Sequence, residues 1–185
     1  MIAPPHPEPV VSATCTARVD PDTPTVVDVE ASGFGAGSYP IEVGVVLPDG
    51  RTHCTLIRPA SDWTHWDPGA EAVHHIPRGI LHARGKAPEE VAVMLNEWLS
   101  GRVAYSDAWG QDRSWLARLF DEAGIAQRFR LESMRALLSD AQVERWNGAR
   151  AEVLAEIGVP RHRASADALI VQRTWQRSRL PAPAA

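Results

Sequence analysis

Pro24-Thr25-Val26-Val27-Asp28-Val29-Glu30-Ala31-Ser32-Gly33-Phe34-Gly35 is a β-branched run that delivers two acids and then stops at glycines. Successive side chains of a strand point to opposite faces, so Asp28 and Glu30, two apart, emerge on one face near the strand's end. Val26, Val27 and Val29 are residues that a central strand buries on both sides, which places the carboxylates on rigid backbone rather than on a loose loop. Two hard oxygen ligands held this close suit a divalent cation. The pair carries little by itself: with 11 Asp and 12 Glu among 185 residues, roughly 0.7 Asp-x-Glu pairs are expected by chance. Its weight comes from the residues downstream of it, their order and their setting.

After the strand, a turn over Gly33 to Gly37 opens into Ile41-Glu42-Val43-Gly44-Val45-Val46-Leu47, then Pro48-Asp49-Gly50, then Arg51-Thr52-His53-Cys54-Thr55-Leu56-Ile57. Two β-rich runs joined at Asp-Gly predict an antiparallel hairpin beside the first strand. Asp62 to His82 is irregular and reads as a loop with short helical pieces. Pro88, with Glu89 and Glu90 in the first turn, starts a helix with Val91, Leu95, Trp98 and Leu99 on one side, ending at Gly101. A short strand over Val103 to Tyr105 runs into Ser106 to Asp112, followed by a helix with Trp115, Leu116, Leu119 and Phe120 on one face, stopped at Gly124. Phe129 to Leu131 predicts a last strand. Ser139 and Gln142 form a capping box for a helix expected to bury Val143, Trp146, Val153 and Ile157. A final helix is expected from about Ala164 to Arg177, returning to the first strand. This order gives a mixed sheet with helices on both faces, the α/β class.

The length and the 44% hydrophobic content fit one well-buried domain. We divide the chain into a weakly ordered, proline-rich lead-in over residues 1–20, a domain over 21–178 and a tail over 179–185. A formal charge of -4 gives no global basic field, so a polyanion has to be held by a local patch or by cations. Cys15 and Cys54 have no metal-like spacing and point to a reducing compartment. No stretch reads as a signal peptide or membrane span. The expectation is a cytoplasmic protein with no membrane partner; the oligomeric state stays open, a homodimer included.

Taken in order, Asp28 and Glu30, then Asp112 in Gln111-Asp112-Arg113-Ser114-Trp115-Leu116, then His162-Arg163-Ala164-Ser165-Ala166-Asp167 resemble the three exonuclease motifs of the DnaQ-like (DEDDh) 3'-5' exonucleases, a family of the RNase H-like superfamily. The resemblance spans roughly residues 24 to 176. Val73-His74-His75-Ile76 is similar to the family's His-Gly-Ile segment, with His75 in place of the glycine, and Ser106-Asp107 stands where His-Asn is common. Asp107 is the alternative second-motif acid; Asp112 is preferred because Trp115-Leu116 follows it at the family's spacing.

The resemblance implies an RNase H-like, five-stranded mixed sheet and hydrolysis of phosphodiester bonds at 3' ends of single-stranded DNA or RNA, releasing nucleoside 5'-monophosphates. Asp28, Glu30, Asp112 and Asp167 are then the ligands of two Mg²⁺ ions, for which Mn²⁺ can substitute. His162 is the implied general base, since an imidazole titrates at about pH 6.5. Phe34 stands where the family places an apolar residue against the terminal base, and Ser32, His74 and Trp109 complete the expected substrate side. For His74, a packed structural role and a substrate contact stay open. Two rivals are a short-oligoribonucleotide hydrolase and a noncatalytic module that binds nucleic acid or protein on the same fold.

Overall fold

The computed structural model describes residues 20–158 and 161–180. The lead-in expected over residues 1–20 lies outside them but for Asp20, as do Cys15 and residues 181–185 of the expected tail.

Five strands form one sheet: β1 (Thr25–Ala31), β2 (Pro40–Val46), β3 (Thr52–Leu56), β4 (Val103–Ser106) and β5 (Arg130–Ser133), in the order β3-β2-β1-β4-β5. The β1–β2 and β2–β3 pairs are antiparallel, so the expected hairpin is present, while β1–β4 and β4–β5 are parallel. Strand β1 is central, and alternation sorts its side chains. Val27 and Val29 join a core with Leu81 of α2 (Arg78–Arg84), Leu95 of α3 (Pro88–Leu99) and Leu116 of α4 (Trp109–Ala123). Val26, on the other face, packs with Val46, Met134 and, from α6 (Ala164–Ser178), Ala168, Val171 and Trp175. Helices therefore cover both faces. The short α1 (Pro68–His74) interrupts the loop after β3.

The β1–β2 register fixes what lies beneath α6. Asp28 pairs with Gly44 and Glu30 with Glu42; directly paired residues share a face, so these four point the same way. Gly44 is required there: a Cβ would stand 2.2 Å from the main-chain carbon of Ala164 and from the nitrogen of Ser165. Beside it the buried Glu42 carboxylate accepts from Arg163 Nε at 3.2 and 3.1 Å, from Arg163 Nη2 at 2.5 Å and from Ala164 N–H at 2.9 Å. Two turns on, the Gln172 amide donates to the carbonyls of Pro24 (2.8 Å) and Leu47 (3.0 Å), tying the same helix to the ends of β1 and β2.

Two elements differ from the sequence expectation. In α5 (Asp140–Glu156), the buried residues are Ala149 and Val153, whereas Val143, Trp146 and Ile157 are only half-buried. The helix packs on α6 rather than on the sheet, joined by Arg177 to Glu152 (3.1 Å) and Glu156 (2.6 Å), and an outer helix needs only a narrow apolar stripe. Helix α4 also starts earlier than expected, at Trp109, which puts Asp112 inside its first turn, where the N-terminal end of the helix favours an acid.

Gly44→Ala is expected to cost about 1–3 kcal/mol, as overpacking against main chain does, seen as a lower urea midpoint with an unchanged slope. Gly148→Ala, in α5 with open space where the methyl group goes, is expected to stabilise by about 0.5–1 kcal/mol. Equal responses at the two positions would contradict the close approach of α6.

Candidate active site

Three acids meet where β1 ends and α6 begins. Asp28 and Glu30 from β1 and Asp167 from the first turn of α6 offer oxygen atoms that all lie within 4.8 Å of one another. Asp112, buried, lines the same cleft of about 470 Å³ from the first turn of α4. It does not belong to the compact trio: one of its oxygens accepts from the buried Ser106 hydroxyl at the end of β4, and the other, Oδ1, is buried with no partner among the described residues. Asp167 is likewise divided. Its Oδ2 accepts the His162 N–H at 2.9 Å, and its buried Oδ1 is unpartnered among the described residues. Asp107, the alternative acid, pairs with Arg150 at 3.0 Å and does not line the cleft.

Crowding and burial both act against ionisation here. Burial pushes Asp28 well above the usual carboxylate range, and the charges of Asp112, Glu30, Asp167 and Asp107 push it further. Glu30 is raised to about 7 by burial, then by Asp167 and Glu42, with Arg163 opposing. Asp112 is raised to about 7 by burial against the opposing Ser106 hydrogen bond. Asp167 is raised by burial against the His162 N–H bond. An all-oxygen donor set with two orphaned buried oxygens fits a hard divalent cation such as Mg²⁺ or Mn²⁺.

His162 lines the cleft from the segment just before α6, in the left-handed region at φ 61°, braced by its N–H bond to Asp167. Phe34 lines the same cleft. It is 72% exposed and leans on Trp115, ring centroids 6.0 Å apart, with Val73 and Ala70 nearby along the same cleft. His74 is both packed and cleft-lining: it is buried, and its Nδ1 accepts from Ile76 N–H at 3.0 Å. The ring proton is thereby placed on Nε2, which is buried without a partner among the described residues. Burial also holds the His74 pKa below the usual imidazole value, favouring the neutral ring. His75 takes the left-handed C-cap of α1 at φ 55°, the conformation for which glycine carries no steric cost.

Two expected substrate residues are not brought to the cleft. The Ser32 hydroxyl is buried, accepting from Tyr39 N–H (3.1 Å) and sharing a hydrogen bond with His65 Nδ1 (3.1 Å). The Trp109 indole N–H donates to the Leu131 carbonyl at 2.8 Å, fastening the start of α4 to β5. In exchange, the structure adds Ser106 beneath Asp112, Asp67 on the cleft wall and Glu42 beneath α6. Only Glu42 had a signal in the sequence, as an acid in an otherwise apolar strand, on the same face as Gly44.

No family model matches the sequence, and no curated protein matches it. The fold is similar to that of exonuclease I from Methylocaldum szegediense, with a TM-score of 0.63 at 16% identity over 85% of this chain and 41% of that one. It is similar also to E. coli exonuclease I in complex with a dA16 oligonucleotide, with a TM-score of 0.60 at 13% identity over 80% and 38% of the two chains. A zinc-bound E. coli exonuclease I complex with single-stranded DNA gives 0.58 at 14% identity over 83% and 39%. This chain spans about two fifths of the length of those proteins. At such identities the likeness is one of fold, and the mixed five-stranded sheet with helices on both faces is RNase H-like.

Proposed function

We propose that this chain is a divalent-metal-dependent 3'-5' exonuclease that acts on single-stranded ends and releases nucleoside 5'-monophosphates. The observation that carries the reading is the convergence of four carboxylates from β1, α4 and α6 in one cleft, with His162 and an exposed phenylalanine on its lining. The similar structures solved with oligonucleotides support it through their fold. Asp28, Glu30, Asp112 and Asp167 would hold the cations, Mg²⁺ or Mn²⁺. When bound, a pair of dications neutralises charge on the attacking and leaving oxygens of a phosphodiester and makes water a better nucleophile. Such cations also let a chain of charge -4 accept a polyanion.

The remaining roles belong to the chain's own groups. His162 takes the proton of the attacking water. Asp167 fixes the main chain of that histidine through Oδ2 while offering Oδ1 to the cleft. Phe34, backed by Trp115, gives the terminal base an apolar face. The unpartnered Nε2–H of His74 donates to a phosphate or sugar oxygen, because a neutral donor there gains a bond that the described residues do not supply.

The test is digestion of 5'-labelled DNA and RNA oligonucleotides of several lengths. A 3'-shortening ladder is expected with Mg²⁺ or Mn²⁺ and none with chelator, and circular single strands are expected to survive. Activity in chelator would overturn the metal requirement, rapid cutting of circles would replace the exonuclease with an endonuclease, and cleavage of short RNA alone would favour an oligoribonucleotide hydrolase. Asp28→Ala and Asp167→Ala are each expected to abolish turnover in a folded protein. His162→Ala should lower kcat by about 10²- to 10⁴-fold while leaving Mn²⁺ affinity unchanged, whereas Asp112→Ala should lower both.

The raised carboxylate pKa values also set a pH dependence. Groups whose folded pKa exceeds the unfolded value bind protons better in the native state, so metal-free stability falls as pH rises from the ordinary carboxylate range through about 7. Cations compete with those protons. Thermal unfolding should therefore show a larger rise with Mn²⁺ at about pH 8 than at about pH 5.5. Asp28→Asn should flatten the metal-free pH slope, and an unchanged slope would show that the cluster does not carry it.

A further inference from the structure

Glu42 is a carboxylate in the middle of an apolar strand, 0% exposed, and it takes no part in the trio of Asp28, Glu30 and Asp167. Its oxygens are already occupied: Arg163 forks onto both, and Ala164 N–H bonds to Oε2. Arg163, the N-cap of α6, supplies no side-chain cap of its own. The first N–H groups of a helix need acceptors, and here a carboxylate from another strand provides one.

Arg163 lies between His162 and the helix that carries Asp167. His162, its predecessor, is held at φ 61°. The Asp167 amide donates to the Arg163 carbonyl at 2.9 Å, and the Asp167 carboxylate returns to the His162 N–H at 2.9 Å. Below, Gly44 leaves no slack between β2 and the first residues of α6. We propose that Glu42 is a positioning residue of the active site: by holding Arg163 and the first turn of α6, it sets the Asp167 carboxylate and the His162 main chain together. This rests on the reading of the cleft as a metal-dependent nuclease centre.

Glu42→Gln keeps an acceptor for Ala164 N–H but gives up the ion pair, and Arg163→Met removes the pair from the other side. Two alternatives are a structural role alone and a charge effect on the nearby acids. The charge effect has a definite sign: Glu42→Gln would weaken Mn²⁺ binding by removing a negative charge, and Arg163→Met would tighten it by removing a positive one. Positioning makes both variants lose in the same direction, by about 10- to 100-fold in Mn²⁺ affinity or in kcat, the range for residues that orient metal ligands.

The experiment is Mn²⁺ titration and single-turnover cleavage of a labelled oligonucleotide on folded Glu42→Gln and Arg163→Met proteins, with amide hydrogen exchange on the metal-free forms. Expected are parallel losses in both variants, KM changed less than kcat, and faster exchange at the His162 and Ala164 amides while β1 amides keep their protection. Glu42→Ala should lose more than Glu42→Gln; should it fail to fold, the glutamine variant carries the comparison. Opposite shifts in Mn²⁺ affinity, or wild-type affinity, kcat and His162 exchange in both variants, would overturn the proposal. Wild-type protein without nuclease activity would instead overturn the functional reading, and amide exchange would still decide the role of Glu42.

Discussion

The first turn of α6 lies directly against the middle of β2, where Gly44 offers no side chain and Glu42 clamps Arg163. A buried charge is costly unless it is paired and bonded, and the Glu42 carboxylate is buried while the Arg163 side chain is 48% exposed. Here the pair is fully bonded on the carboxylate side and seated on a fixed sheet register. The position of α6 follows, and with it Asp167, the outer helix α5 and the second core under Trp175. At the far end of β3 a second close approach holds α2: a Cβ on Gly85, its C-cap, would stand 2.6 Å from the main-chain nitrogen of Arg58.

That constraint brings like charges together against their preference. Burial and mutual repulsion raise the acids of the cleft above the ordinary carboxylate range. Local hydrogen bonds oppose the rise at two of them: Ser106 for Asp112 and the His162 N–H for Asp167. The cost is carried by the two cores that sandwich β1, since Val27 and Val29 on one face and Val26 on the other hold the strand whether or not its acids are neutralised. The acids are therefore held in place by a strand that is buried on both faces.

The rest of the lining has a different character. Phe34, Val73, Ala70 and Trp115 give the cleft an apolar part, and His74 adds one neutral donor whose tautomer is fixed by Ile76 N–H. Among the described residues, the left-handed region holds two that are not glycine: His162, which lines the cleft, and His75, which follows the cleft-lining His74. Each is held by a hydrogen bond from its own N–H, to the Glu71 carbonyl and to the Asp167 carboxylate respectively.

Much of this architecture is readable from the chain because it depends on neighbours in sequence. Alternation puts Asp28 and Glu30 on one face of a strand, Asp49-Gly50 makes the hairpin, and Ser139 with Gln142 caps α5. Gly124 stops α4 because its φ of 62° favours glycine. The candidate acids are legible as an ordered set through the motif resemblance, and the fold brings all four to one cleft. What the tertiary structure alone decided lies in pairings with no local signature. Glu42 meets Arg163 from 121 positions away, Trp109 commits its indole N–H to Leu131, and Ser32 turns its hydroxyl to Tyr39 and His65. The shallow burial of Val143 and Trp146 comes from α5 packing on α6 and not on the sheet. A helical or alternating period reports which side of an element is apolar, but the partner of a buried polar group is set by which elements the whole chain stacks together.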